Sequence, residues 1–345
     1  MSTVGIVGGG IIGLSIAWRC AQLGLDVTVY DPAPGGGAGL VAAGMLAPTG
    51  EAGFGEDALR TLMLDAAARW PAFAVELRDA TGVDVAYRGE GTLLVALTDD
   101  DLAEIRRLFE FYRRAGQRIE PMTARELRER EPMLSPRVRG GAYAPGDRQV
   151  DPRKVLRALR QAAVRFVTAA VTDLAAVHEE KTVVAAGCGS AALTGLPVRP
   201  VKGQLVRLRA DEAPIRHVIR GYAQGRRVYV VPRLDGELVI GATEEERGAD
   251  TTVTAGGVLD LLRPAADLLP GIAEFALTET LAGLRPGTPD NAPMIGVLRS
   301  GEIVATGHHR NGVLLAPVTA DAVAELVSTG RQPANLAAFQ PERFA

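Results

Sequence analysis

The 345-residue chain is short of lysine, cysteine and aromatic side chains, and it carries no surplus of positive charge. Lys154, Lys181 and Lys202 are its only lysines, so arginine supplies 35 of its 38 basic residues and a single arginine carries little information without context. A formal net charge of −3 leaves no basic field to hold nucleic acid phosphates. The two cysteines, Cys20 and Cys188, form no ligand-spaced motif with the four histidines, which speaks against a disulfide framework and against a metal site. No uninterrupted apolar run of about 18 residues occurs, and the chain enters a strand-like pattern almost at once. The expectation is a cytoplasmic protein that does not span a membrane.

What the chain has in quantity is glycine, 40 residues of it, with 47% hydrophobic and 23% charged residues, the balance of a well-packed globular protein. Its length is roughly twice that of one ordinary domain, which favours two domains.

The first thirty-one residues read as one unit. Thr3-Val4-Gly5-Ile6-Val7 has the pattern of a short buried strand, and Gly8-Gly9-Gly10-Ile11-Ile12-Gly13 follows directly. Helical apolar spacing then runs from Leu14 to Leu23, Gly24 breaks it, and Leu25 to Tyr30 forms a second strand closing on Asp31. In such a βαβ unit Gly8 permits the tight turn, Gly10 lets the backbone approach a pyrophosphate, and Gly13 lets helix and strand pack closely. The helix N-terminus offers free amides to the phosphates, and Asp31 stands where an acid accepts from ribose hydroxyls. This predicts dinucleotide binding without choosing between FAD and NAD.

Further along, periodicity predicts helices over about 57–81, 99–115, 123–131 and 255–269, with another starting at Asp151-Pro152 and one near Val313. Strands are expected over 87–97, 140–150, 165–171, 181–186 and most of 201–243. The chain thus alternates between α/β and antiparallel patterns more than once. The predicted fold class is α/β: a Rossmann-type nucleotide domain built from 1–85, 140–200 and 286–345, with an interleaved antiparallel-sheet substrate domain from 86–139 and 201–285.

With these pieces assembled, the chain resembles the D-amino-acid oxidase family of FAD-dependent amine oxidases, over nearly its whole length. The resemblance rests on the N-terminal unit with Asp31, on "AAGMLAP" at 42–48, "VDPRKVLRAL" at 150–159 and "VVAAGCGS" at 183–190. It continues through "PVKGQLVRL" at 200–208, "YVVPR" at 229–233, "GELVIGAT" at 236–243, "LAGLRPGTPD" at 281–290 and "GHHRNGVLLAP" at 307–317.

What the resemblance implies is FAD held without a covalent link. Its contacts would come from Gly8, Gly10, Ile11, Ile12, Gly13, Asp31, Ala43, Gly44, Met45, Val171 and Gly187, and from the run His308, His309, Arg310, Asn311, Gly312, Val313 and Leu314. It also implies oxidation of glycine or another small amine, with dioxygen reduced to hydrogen peroxide and a functional link to thiazole synthase in thiamine biosynthesis; a homo-oligomer is compatible with it. Arg285 would hold the substrate carboxylate, Tyr229 would set a phenol near it, and Arg310 would complete the polar wall. A D-amino-acid, sarcosine or proline dehydrogenase using another electron acceptor is the alternative within the same chemistry. An NAD-dependent dehydrogenase would leave "AAGM" and the C-terminal motif without a task.

Four departures from the family pattern stand out. Asp31 replaces the usual glutamate, the loop before Ala42 lacks hydroxyl and basic residues, His309 stands where an aromatic is frequent, and Arg227 where some relatives have histidine. The segment 171–181 is short as well.

Overall fold

A computed structural model describes residues 2–51, 53–162 and 165–344. Among them the strands form two large sheets and a two-stranded ribbon. The six-stranded sheet runs Met294–Val297, Ile303–Thr306, Lys181–Val184, Thr3–Val7, Asp26–Tyr30, Arg165–Val167. Every neighbouring pair in it is parallel except the first, where Met294–Val297 runs antiparallel to Ile303–Thr306. Its central strands are buried on both faces, as parallel strands covered by helices require.

Four helices complete this layer: Ile11–Gln22, Asp57–Thr81, Pro152–Ala162 and Gly312–Thr329. They pack through one continuous core. Trp70 lies at its centre with its ring edge-on to Phe73, and its indole N–H donates to the Leu314 carbonyl at 2.9 Å, tying two of the helices. The expected Asp151 cap is present, its carboxylate accepting from the Arg153 amide at 2.9 Å. The helix Gly312–Thr329 belongs to a stretch, His309–Thr329, that is long and apolar enough to cross a membrane. With 72% of its most apolar window buried in the protein, it is a core helix here.

The eight-stranded sheet runs Ala276–Gly287, Arg199–Arg209, Glu237–Gly241, Arg226–Pro232, Val218–Ala223, Thr92–Ala96, Gly140–Ala144, Glu120–Thr123. All its pairs are antiparallel except Val218–Ala223 with Thr92–Ala96. The helix Ala255–Leu268 covers one face, and Asp99–Arg114 packs over Leu94, Ala96 and Ala142. Capping boxes start Asp99–Arg114 (Thr98 with Asp101) and Ala124–Arg130 (Thr123 with Glu126).

The fold class is the one the sequence predicts: Rossmann-type α/β interleaved with an antiparallel sheet. Several details differ. The strand Gly140–Ala144, grouped by sequence with the nucleotide-binding segments, pairs into the eight-stranded sheet instead. The run 165–171 pairs only over Arg165–Val167, because it lies at the sheet edge and its partner strand ends at Tyr30. The run 87–97 is strand only over Thr92–Ala96, and the strands of 201–243 are interrupted between Arg209 and Val218.

Candidate active site

A large cavity of about 1120 Å³ lies between the two sheets, and its wall draws on almost every motif singled out in the sequence. That volume exceeds the roughly 300–1,000 Å³ usual for one small ligand, as a site for a cofactor together with a substrate requires.

At one end the glycine turn behaves as its spacing demands. Gly8 takes a φ of +114°, and a Cβ on it would overlap the Ala185 carbonyl. A Cβ on Gly13 would overlap the Gly8 carbonyl oxygen, so that glycine sets the packing of helix on strand and does not itself face the cavity. Nothing lies within 4 Å of a Cβ position on Gly10, which leaves its face open. The helix Ile11–Gln22 begins with no side-chain cap and no acid in its first turn, so its leading amides and partial positive charge point at Gly10, Ile11 and Ile12 on the cavity wall. The Asp31 carboxylate accepts from the Gly9 amide at 2.6 Å and the Ala33 amide at 2.7 Å. These bonds fix the shorter acid against the turn.

In the middle, Ala43, Gly44 and Met45 pass along the wall. Gly44 takes a φ of +80°. The segment is held by a residue that sequence reasoning missed: the buried Arg233 donates to the Ala43 carbonyl at 2.6 Å, to the Val150 carbonyl at 3.1 Å and to Gln149 Oε1 at 2.8 Å. Burial without a carboxylate partner pushes its pKa down to about 10. Arg233 closes the motif "YVVPR", but its partners lie 83 to 190 residues away.

The C-terminal run divides. His308 to Val313 line the cavity, whereas Leu314, expected there, is buried in the core and its carbonyl accepts from Trp70; one residue further along a helix rotates the side chain by about 100°, off the cavity side. The His308 ring is buried against the Thr319 hydroxyl at 3.1 Å, and burial lowers its pKa to about 3. His309 adopts a φ of +46°, which few non-glycine residues do, and neither of its ring nitrogens has a hydrogen-bond partner. Burial, with help from Arg310, lowers its pKa to about 4. A short 3-10 turn, His309–Asn311, precedes the helix expected near Val313.

The candidate substrate groups meet at the far end, where Tyr229, Arg285 and Arg310 share the wall with Glu51 and Arg220. Arg285 is half-buried. Its one hydrogen bond among the described residues is from Nη1 to the Thr243 carbonyl at 3.1 Å, and no carboxylate there neutralises it. Its guanidinium lies over Gly203, where a Cβ would come within 2.5 Å of it. Tyr229, on the strand Arg226–Pro232, pairs with Gly241; burial raises the pKa of its phenol, which is therefore protonated at neutral pH.

Arg310 differs from expectation. Its Nε lies 3.3 Å from Glu51, and its Nη2 lies 3.3 Å from Glu56 and 3.2 Å from the Glu51 carbonyl. With two carboxylates already on it, this guanidinium secures the loop carrying Glu51 and Glu56 at the cavity rim and has little to offer a substrate anion. Glu51 also pairs with Arg220. Burial opposes the charge on Arg220, yet Glu51 holds its pKa above the ordinary arginine value. Asp147 lies beneath this loop, accepting from the Thr49 amide, and burial raises its pKa to about 6. Neither Glu51 nor Arg220 was marked by any motif.

A glycine-turn cradle opening through the Ala43–Met45 wall onto an uncompensated guanidinium is an architecture suited to a dinucleotide cofactor with a second ligand beside it. The comparisons with known proteins agree. Residues 3–326 match the family model described as FAD dependent oxidoreductase (DAO), and the chain belongs to that family. It is 34% identical to the glycine oxidase of Geobacillus kaustophilus, over 99% of this chain and 96% of that one. It is 33% identical to the bifunctional protein ThiO/ThiG of Synechocystis sp. over 99% of its length, while spanning only 54% of that longer protein. The crystal structure of glycine oxidase from Geobacillus kaustophilus superposes with a TM-score of 0.92 at 33% identity, covering all of both chains.

FAD is accordingly the cofactor, and the chain's own groups fit it: an open row of helix-terminal amides for a pyrophosphate, a fixed acid beyond the second strand, and a cavity deep enough for a ring system.

Proposed function

We propose that the protein oxidises glycine, or another amino acid of similar size, at its α-carbon. The α-carbon loses a hydride and the nitrogen a proton; the resulting imine adds water and releases ammonia, leaving glyoxylate. Dioxygen takes the electrons and becomes hydrogen peroxide, and the imine or glyoxylate feeds thiamine thiazole assembly. The observation that carries this reading is Arg285, a half-buried cation without a carboxylate partner, on the wall of the cavity that also holds the glycine turn.

Bound FAD supplies the two-electron acceptor. The chain's part is orientation and electrostatics. A planar guanidinium takes a carboxylate in two parallel hydrogen bonds, which fixes where the attached α-carbon points. The protonated Tyr229 phenol adds a donor beside it. Glu51, locked between Arg220 and Arg310, has its charge neutralised there and serves to hold the rim in place.

Support for glycine comes from the relatives named glycine oxidase, and support for the thiamine link from those named ThiO/ThiG. The test is a visible spectrum of FAD-loaded protein before and after anaerobic glycine, followed by peroxide assay on admitting air. Bleaching and then peroxide support the reading; bleaching without peroxide points to a dehydrogenase with another acceptor. No bleaching with glycine, sarcosine, proline or D-alanine overturns it.

A further inference from the structure

Arg285 reaches into the cavity on the strength of one carbonyl, and that carbonyl is itself unusually well held. Thr243 follows the strand Glu237–Gly241 and begins a segment, 243–250, that folds back across Gly203 and Gln204 of the neighbouring strand. The Thr243 hydroxyl donates to Glu245 Oε1 at 2.6 Å and accepts from the Gln204 amide at 2.9 Å. Gln204 Nε2 donates to the same Glu245 Oε1 at 2.7 Å, while Gln204 Oε1 accepts from the Thr254 amide at 2.8 Å. The backbones of Glu245 and Lys202 exchange two hydrogen bonds of 2.9 Å, and the buried Lys202 ammonium reaches Asp250 at 2.7 Å. Thr243 and Gln204 both line the cavity.

We infer that this strap, with Glu245 as its knot, positions Arg285 for the substrate carboxylate. The inference rests on the reading of Arg285 as the carboxylate-binding group. The physical case is one of degrees of freedom. An arginine has a long, mobile stem, and a guanidinium that must present two donors in one plane loses that geometry if its only protein acceptor swings away. The Thr243 carbonyl cannot swing while its own side chain is tied on the far side. Gly203 supplies the other half of the seat, because any side chain there would collide with the guanidinium. Glu245 never touches the cavity's contents, so it is a positioning residue. The Thr243 hydroxyl, the first of its partners, holds its carboxyl below the usual carboxylate range and keeps it an acceptor at neutral pH.

Because both donors converge on Oε1, glutamine can replace Glu245 with one carbonyl oxygen serving both, whereas alanine serves neither. The experiment compares FAD-loaded wild type, Glu245→Ala, Glu245→Gln and Arg285→Met. It reads KM and kcat for glycine, and the dissociation constant of acetate from its perturbation of the flavin absorbance. Glu245→Ala is expected to raise KM and the acetate constant by the same factor, about tenfold, with kcat within about twofold and the ligand-free flavin spectrum unchanged. Glu245→Gln should recover most of that loss. If Arg285→Met weakens acetate but Glu245→Ala does not, the strap positions nothing and the inference falls. If Arg285→Met leaves acetate unaffected, the reading of Arg285 falls first and takes the inference with it. A drop in kcat or in bound FAD with KM unchanged also overturns it. Should Glu245→Ala fail to accumulate, Thr243→Val, which removes the hydroxyl and keeps the carbonyl, is expected to reproduce the rise in both constants; unchanged constants there overturn the inference as well.

Discussion

Replacing Arg285 with methionine keeps most of the stem's volume and deletes the charge. In the free enzyme little is lost, since the guanidinium makes one hydrogen bond, to Thr243, and has no carboxylate to leave stranded. A half-buried cation in that condition is a burden on stability, so the melting temperature should hold or rise slightly. In the complex the loss is large. Two charge-assisted hydrogen bonds to a carboxylate, at about 1.5–3 kcal/mol each, amount to about 3–6 kcal/mol. At about 1.4 kcal/mol per decade, kcat/KM for glycine should fall roughly 10²- to 10³-fold or more. Steady-state oxygen uptake measures this directly, with acetate binding as a check that avoids chemistry. A variant within threefold of wild type, with FAD bound normally, would refute the assignment of Arg285.

Three other perturbations test other parts of the structure. Glu51→Gln weakens the hold on both Arg220 and Arg310, and should cost about 2 kcal/mol in denaturant unfolding, less than the roughly 3–5 kcal/mol of a fully buried pair because all three groups keep some exposure; no loss would mean the pairs are solvated. Gly13→Ala drives a methyl into the Gly8 carbonyl oxygen, and should lower both FAD content and stability, the latter by about 1–3 kcal/mol or more; a fully flavinated variant contradicts it. Acid should destabilise the protein through its buried histidines. His308 and His309 have pKa values lowered to about 3 and about 4, so below pH 6.5 the unfolded chain binds more protons than the folded one, and stability falls as pH drops from 6.5 toward 4. From pH 6.5 to 5 each contributes about 2 kcal/mol. Asp147, raised to about 6 from an ordinary 3.8, has the opposite slope between those values. Urea midpoints at pH 7, 6 and 5 should therefore show a shallower acid loss for His309→Phe, and equal slopes would sink the argument.

The parts of this molecule that were legible in its sequence are those written in short-range pattern. The turn from Gly8 to Gly13, the long helix Asp57–Thr81 and the capped helix Asp99–Arg114 each follow from residues a few positions apart. Arg285 could be singled out among 35 arginines only because the family motif around it was recognisable. Nothing local marks Glu51, whose partners are Arg220 and Arg310, 169 and 259 residues away. Arg310 was misjudged for the same reason: the motif identifies the residue, and the distant loop decides what its charge does. The strap on Glu245 reads in sequence as a polar turn, because its meaning depends on Gln204 lying on the adjacent strand. Leu314 was assigned to the cavity by extending a motif past the point where helical geometry turns side chains inward.

The order of strands in the six-stranded sheet also bears on when the enzyme becomes competent. Thr3–Val7 leaves the ribosome first, yet one of its two neighbours is Lys181–Val184, and beyond that lies Ile303–Thr306. The glycine turn is therefore made early and stays half-walled until the residues around 303–313 emerge. At about 5–20 residues per second that wait is roughly 15 to 60 seconds. Before then the cavity lacks the wall that His308 to Val313 supply. Until then the early βαβ unit keeps an exposed sheet edge, the condition under which incomplete domains are most open to mispairing.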